Sequence, residues 1–173
     1  MEKNTDIMND DIFVKTYKLL NKCTPLPVDC GQLCDGACCK GDEDNGMLLF
    51  PGEEQLFLDN QSFEIRATDY VLDDGFVVKL LLCKSPCNRK FRPLGCRIFP
   101  LIGFAADGEI EVQMDPRSND VCPLAIVGIQ EGISTQFILK VKKVFEILMG
   151  DARCKNFIEI MTEQLDFGGF ENG

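Results

Sequence analysis

The sequence predicts an α+β fold: a small antiparallel, loop-rich cysteine-cluster domain flanked by an N-terminal helix and a C-terminal helical pair. Three observations carry this. Apolar residues recur at helical spacing near both ends, and the middle alternates short apolar runs with Asp-Gly turns. Between them, Cys30, Cys34, Cys38 and Cys39 crowd into a ten-residue stretch interleaved with glycine. A chain of 173 residues with 45% hydrophobic composition can bury a core of its own, so it reads as a single domain, 1–173. Within it, 1–27 is the N-terminal helix and linker, 28–124 the cysteine-cluster core, and 130–166 the C-terminal helices.

Asp10 or Asp11 is placed to cap the first helix, with Phe13, Val14, Tyr17 and Leu20 on one face, and Thr24-Pro25-Leu26-Pro27 stops it. Residues 28–46 read as a ligand loop whose glycines allow tight folding. Met47 to Phe50 reads as a strand. Pro51 followed by Glu53 and Glu54 opens a short helix to about Leu58, with acids at the positive end of its dipole. Strands are expected over Phe63 to Arg66, Tyr70 to Leu72 and Phe76 to Leu82, then a hairpin of Ile98 to Phe104 with Ile110 to Met114 across Asp107-Gly108. In the last helices, Phe137, Ile138, Val141, Val144, Phe145 and Leu148 form one apolar face. Cys154, Phe157, Ile158, Met161 and Leu165 form the next, capped by Asp151, before Gly168-Gly169.

The ten cysteines need a chemical reason, because a core of this size does not depend on cross-links. The N-terminal residues lack the layout of a secretory signal, so the chain reads as cytoplasmic, where thiols stay reduced unless they bind something or do catalysis. Metal or cluster ligation is the leading reading, with disulfides and simple packing as the alternatives. Cys83 and Cys87 form a second pair where a strand ends, and Cys96 and Cys122 each precede backbone-fixing residues. The candidate ligands are therefore Cys30, Cys34, Cys38, Cys39, Cys83, Cys87, Cys96 and Cys122, enough for two four-thiolate centres or for one with spare thiols. Adjacent Cys38 and Cys39 point apart in most backbone conformations and suit two neighbouring ions, or one ligand and one structural role. With no histidine, the donors are thiolates and carboxylates, which fits zinc or an iron–sulfur cluster. Cys154 is assigned to packing, and Cys23, in a Pro-flanked linker, is left out.

A net charge of −10 argues against nucleic acid as a partner, and no apolar run reaches the ~20 residues of a membrane helix. The average hides a pattern. Asp42 to Asp74 holds ten acids against Arg66 alone, whereas Gly75 to Ala106 holds no acid and six cations: Lys79, Lys84, Arg89, Lys90, Arg92 and Arg97. Such cations would offset the negative charge of a thiolate centre, with Arg92 and Arg97 the candidates to sit beside that cofactor. A solvated basic face and an anion site for a substrate or partner are the other readings.

Four stretches, Cys30 to Lys40, Gly46 to Glu54, Arg92 to Leu101 and Cys122-Pro123, carry a resemblance that reaches across residues 28 to 124. The chain resembles the YkgJ-like cysteine-cluster family of zinc- or iron-chelating domains, also found in flagellin lysine-N-methylase. Two spaced cysteines before a vicinal pair are that family's hallmark. This chain differs in having three residues, Asp35, Gly36 and Ala37, between the second cysteine and the pair, where the family pattern has two. The resemblance implies a metal or iron–sulfur centre; the expected function is a structural or electron-transfer role for it, with the metal ion or cluster as partner and a protein as a further candidate. The alternatives are a methyltransferase-like enzyme acting on protein lysine and a thiol–disulfide redox module. No Gly-rich strand-to-helix loop for a nucleotide-like cofactor supports the methyltransferase.

Overall fold

Asp74-Gly75 places a positive φ at Gly75, the conformation a tight reversal needs, and so folds two apolar runs onto each other. The computed structural model describes residues 6–40, 46–84 and 88–165. Around that reversal, β2 (Phe63–Val71) pairs antiparallel with β3 (Val77–Cys83), and β1 (Met47–Leu48) adds to the other side of β3. The two stretches expected as separate strands, Phe63 to Arg66 and Tyr70 to Leu72, are one strand. Its pairing shifts register between Ala67 and Val71, and that irregularity is what the mixed residues 67–69 record.

A second sheet is the hairpin of β4 (Leu101–Ala106) and β5 (Glu109–Met114), joined through Asp107-Gly108, both at positive φ. The expected strand begins later than Ile98, because Leu94–Ile98 is a short helix, α3, and Phe99-Pro100 turns the chain out of it. Glu53–Leu56 forms only a 3-10 turn in place of a helix to Leu58.

The helices enclose these sheets. α1 (Asp6–Leu19) starts before Asp10 and Asp11, which therefore lie inside it and do not cap it; Phe13, Thr16 and Leu20 are buried while Val14 is exposed. The ligand loop holds a short helix, α2 (Gly31–Cys34), and a 3-10 turn at Ala37–Cys39. Two further short helices, α4 (Pro123–Val127) and α5 (Ile129–Gly132), precede α6 (Thr135–Leu148) and α7 (Ala152–Gln164). Asp151 caps α7 as expected, its Oδ1 accepting from the Cys154 N–H at 2.9 Å. Cys154, Phe157, Ile158 and Met161 are buried, so Cys154 packs. Gly168-Gly169, Ser85, Pro86 and Cys87 lie outside the described residues. No helix among the described residues is long and apolar enough to cross a membrane.

The main core joins α1, α6, α7 and the β4–β5 hairpin, with Phe50 meeting Phe145 and Phe157 edge-on at ring centroid distances of 5.9 and 5.4 Å. A smaller cluster of Leu49, Phe57, Phe63 and Leu81 fills the other face of the three-stranded sheet. At Gly103 a Cβ would stand 2.3 Å from the Phe145 ring, so α6 packs directly on the β4 backbone. Gly103→Ala is expected to destabilise the fold by about 1–3 kcal/mol, read as a lower urea midpoint with an unchanged m-value.

Candidate metal centre

The cysteine run folds as a pair of tight turns because Asp35 and Gly36 both take positive φ between α2 and the 3-10 turn. Gly36 N–H donates to Gly31 O at 3.0 Å and Cys39 N–H to Gly36 O at 2.8 Å, while Lys40 pairs with Asp35 at 2.7 Å across the same bend. Asp29 Oδ1 anchors the start, accepting from Gly31 N–H at 3.1 Å and facing the Arg89 guanidinium at 3.5 Å. The cysteine turns and the cationic segment are thereby tied together.

Between them lies a cavity of about 460 Å³. Its walls come from the end of α1 and the linker after it, from α2 and its flanks, from residues 89–92, from α3, and from the entry to α4. Cys30, Cys34, Cys38, Cys96 and Cys122 all line it, as does Cys23. The other expected ligands are placed differently. Cys39 does not line the cavity but is hydrogen-bonded to Cys38. Cys83 is exposed at the end of β3 and lies outside the lining, and Cys87 lies outside the described residues. The thiols share walls without being gathered to a point: among the described residues no three Cys, Asp or Glu side chains form a group that could hold a metal ion.

Local structure fixes two of these positions firmly. Cys122 occupies the residue position just before α4, and its N–H donates to Ser118 O at 2.8 Å. Ser118 is itself buried and donates through Oγ to Asp115 O at 2.6 Å, and the buried Asp115 carboxylate takes a bidentate bond from Arg117. Cys96 sits in α3, whose first N–H, from Leu94, donates to Glu53 Oε1 at 2.6 Å.

Glu53 is fully buried, and its carboxylate accepts three bonds. Tyr17 Oη and Leu94 N–H donate to Oε1, and Phe50 N–H donates to Oε2 at 3.1 Å. Tyr17 is a wall of the cavity, so this carboxylate links α1, the 3-10 turn and α3 directly beneath it. The Arg97 guanidinium stacks 4.5 Å from the Tyr17 ring centroid. Its Nε–H donates to Arg92 O at 2.7 Å and its Nη2 to Lys90 O at 2.8 Å, so Arg97 shapes the cationic segment more than it faces solvent.

These placements set the electrostatics. Burial pushes the Cys30 thiol up, opposed by Arg89. The Cys38 S–H bond to Cys39 brings Cys39 down to about 6, with Arg92 helping, and pushes Cys38 up. Burial pushes the Glu53 carboxyl up to about 7, against the pull of its hydrogen bonds and of Arg97.

The sequence presents Glu53 only as an acid at a helix start and Tyr17 only as part of an apolar helix face, and it gives Lys18 and Lys22 no role; all four lie beneath or along the cavity. Tyr17 and Lys18 stand near the end of the first helix, and that helix stops at the Pro-rich linker leading straight into the cysteines. That adjacency was the available signal. Lys79 and Lys84 belong to β3 and the residue after it and are not in the lining, although they share the cationic stretch of sequence.

Because the folded Glu53 carboxyl titrates above its ordinary value of 4.5, the folded state holds that proton more tightly than the unfolded chain does. Its contribution to stability is fully present below about pH 4.5 and is lost as pH rises through about 7. Urea unfolding across that window should show a fall on the order of 2–3 kcal/mol in the wild type. Glu53→Gln should flatten it. An unchanged slope in the variant would place the titration elsewhere.

Comparison of the chain with protein-family models, with curated proteins and with solved structures found no match.

Proposed function

We propose that the chain is a metal-binding cysteine-cluster protein whose centre, zinc or an iron–sulfur cluster, has a structural or electron-transfer role in a reducing, cytoplasmic setting. One observation carries the reading: five of the expected ligands, Cys30, Cys34, Cys38, Cys96 and Cys122, come from three separate parts of the chain to line one cavity. Cysteines that merely fill space have no reason to converge on one cavity, and Cys154, which does fill space, is buried outside its lining. The donor set fits soft or borderline metals, since the chain has no histidine.

In this reading Cys96 and Cys122 are the donors held by α3 and by the turn before α4, and the 30–39 turns bring the more exposed thiols. Such a centre would close the long loops from Cys39 to Cys96 and from Cys96 to Cys122, so its binding energy would also be folding energy. Cys39, beside Cys38, is the next thiol available. When bound, zinc would cross-link the three segments, and an iron–sulfur cluster would add one-electron chemistry.

Anaerobic purification followed by zinc, iron and sulfide analysis per chain, with a visible spectrum, tests this. Bound metal in the wild type, a severalfold loss of it in Cys96→Ala and Cys122→Ala, and retention in Cys154→Ala are the expected results. Cys83→Ala should retain metal as well, because Cys83 stands outside the cavity. A folded, colourless protein without metal would contradict the proposal. Thiols that all react freely with an alkylating agent, with no protection lifted by a chelator, would favour a thiol–disulfide module instead.

A further inference from the structure

The cavity that holds the cysteines is lined by Lys18, Lys22, Arg89, Lys90, Arg92 and Arg97, and among the described residues no Asp or Glu lines it. Six of the chain's 18 lysines and arginines, a third, therefore line one hollow. These cations come from two places far apart in sequence, the end of α1 with the linker after it, and residues 89–97, so no single charged run accounts for them. Two of them are set by specific contacts. Asp29 faces Arg89, and Arg97 is held by the Lys90 and Arg92 carbonyls and the Tyr17 ring.

A thiolate centre does not use up this charge. One divalent ion held by four thiolates leaves about two negative charges, and a common four-iron cluster leaves about the same. Six cations, of which Arg89 faces an acid, Asp29, exceed that more than twofold. Nor does such a centre use up the space, because a hollow of about 460 Å³ falls within the ~300–1,000 Å³ of small-molecule sites. Leu20, Pro25, Leu33, Phe99, Val121 and Leu124 supply apolar wall between the charges. A cleft of one sign with apolar walls focuses its field on whatever enters it.

We infer that this cavity also binds a small polyanion, a molecule carrying two or more phosphate or carboxylate groups, through Lys18, Lys22, Arg89, Lys90 and Arg92. Arg97 positions the 90–92 backbone for it. The inference uses the thiolate reading only for its charge balance; without a metal the positive surplus is larger.

The test is isothermal titration of the purified protein with inorganic pyrophosphate and, separately, with propane-1,2,3-tricarboxylate, metal content being measured on the same samples. Saturable binding of either probe is expected, the stronger of the two identifying the group preferred. Arg89→Gln and Lys90→Gln should each weaken it by about 5–10-fold, while Lys155→Gln, which removes the same charge on α7, should leave it unchanged. Circular dichroism of each variant confirms folding. Binding that weakens equally in Lys155→Gln would mean attraction to charge in general and would overturn the inference. A metal-loaded protein that binds neither probe would overturn it too, and would leave the thiolate reading standing. Binding by a folded, metal-free protein would support the anion site while removing the metal.

Discussion

The buried carboxylate of Glu53 is the interaction on which the arrangement around the cavity depends. A charge taken wholly out of water is tolerated only when its lone pairs are used, and here Tyr17, Leu94 and Phe50 all donate to it. Tyr17 belongs to α1, Leu94 to α3 and Phe50 to the segment that follows β1. The carboxylate therefore sets the end of α1, the start of α3 and the exit of β1 relative to one another, and those are the supports of Tyr17, Cys96 and Arg97. Removing it would leave three polar groups buried without an acceptor, each costing about 1–3 kcal/mol. Even so, the upward shift of its own titration shows that burial is only partly offset.

From that knot, order passes outward in steps. Arg97 stacks on Tyr17 and holds the 90–92 backbone; Arg89 reaches Asp29; Asp29 fixes the first turn of the cysteine run. The thiols of Cys96 and Cys122 thus rest on well-anchored backbone, while Cys34, Cys38 and Cys39 ride on exposed turns closed by Lys40 and Asp35. A centre formed by drawing exposed turns onto anchored thiols, as proposed, would link metal binding to folding.

The α+β class and both C-terminal helices were legible in the sequence because α6 and α7 are long enough for a helical period to show, and Asp151 marks the second start. The hairpin strands and their Asp-Gly turns were legible too, but the short helices were not. The Ile98 to Phe104 run conceals the end of α3, a turn and the start of β4, all apolar because all are buried. Pro123 to Val127 is a single helical turn and a little more, below the length at which period decides anything. At the site, residue type identified Cys30, Cys34, Cys38, Cys96 and Cys122, whereas Cys83 had the right company in sequence and a different place in space. Lys18, Lys22 and Glu53 could be assigned only once the end of α1 was known to lie against the cysteine turns.

X-ray absorption at the zinc and iron edges of anaerobically purified protein tests the central claim most directly. The account predicts a first shell dominated by sulfur, near 2.3 Å for zinc (about that distance is usual for zinc–thiolate bonds), that loses a scatterer in Cys96→Ala. A shell of nitrogen or oxygen alone, or a spectrum unchanged by that substitution, would contradict it.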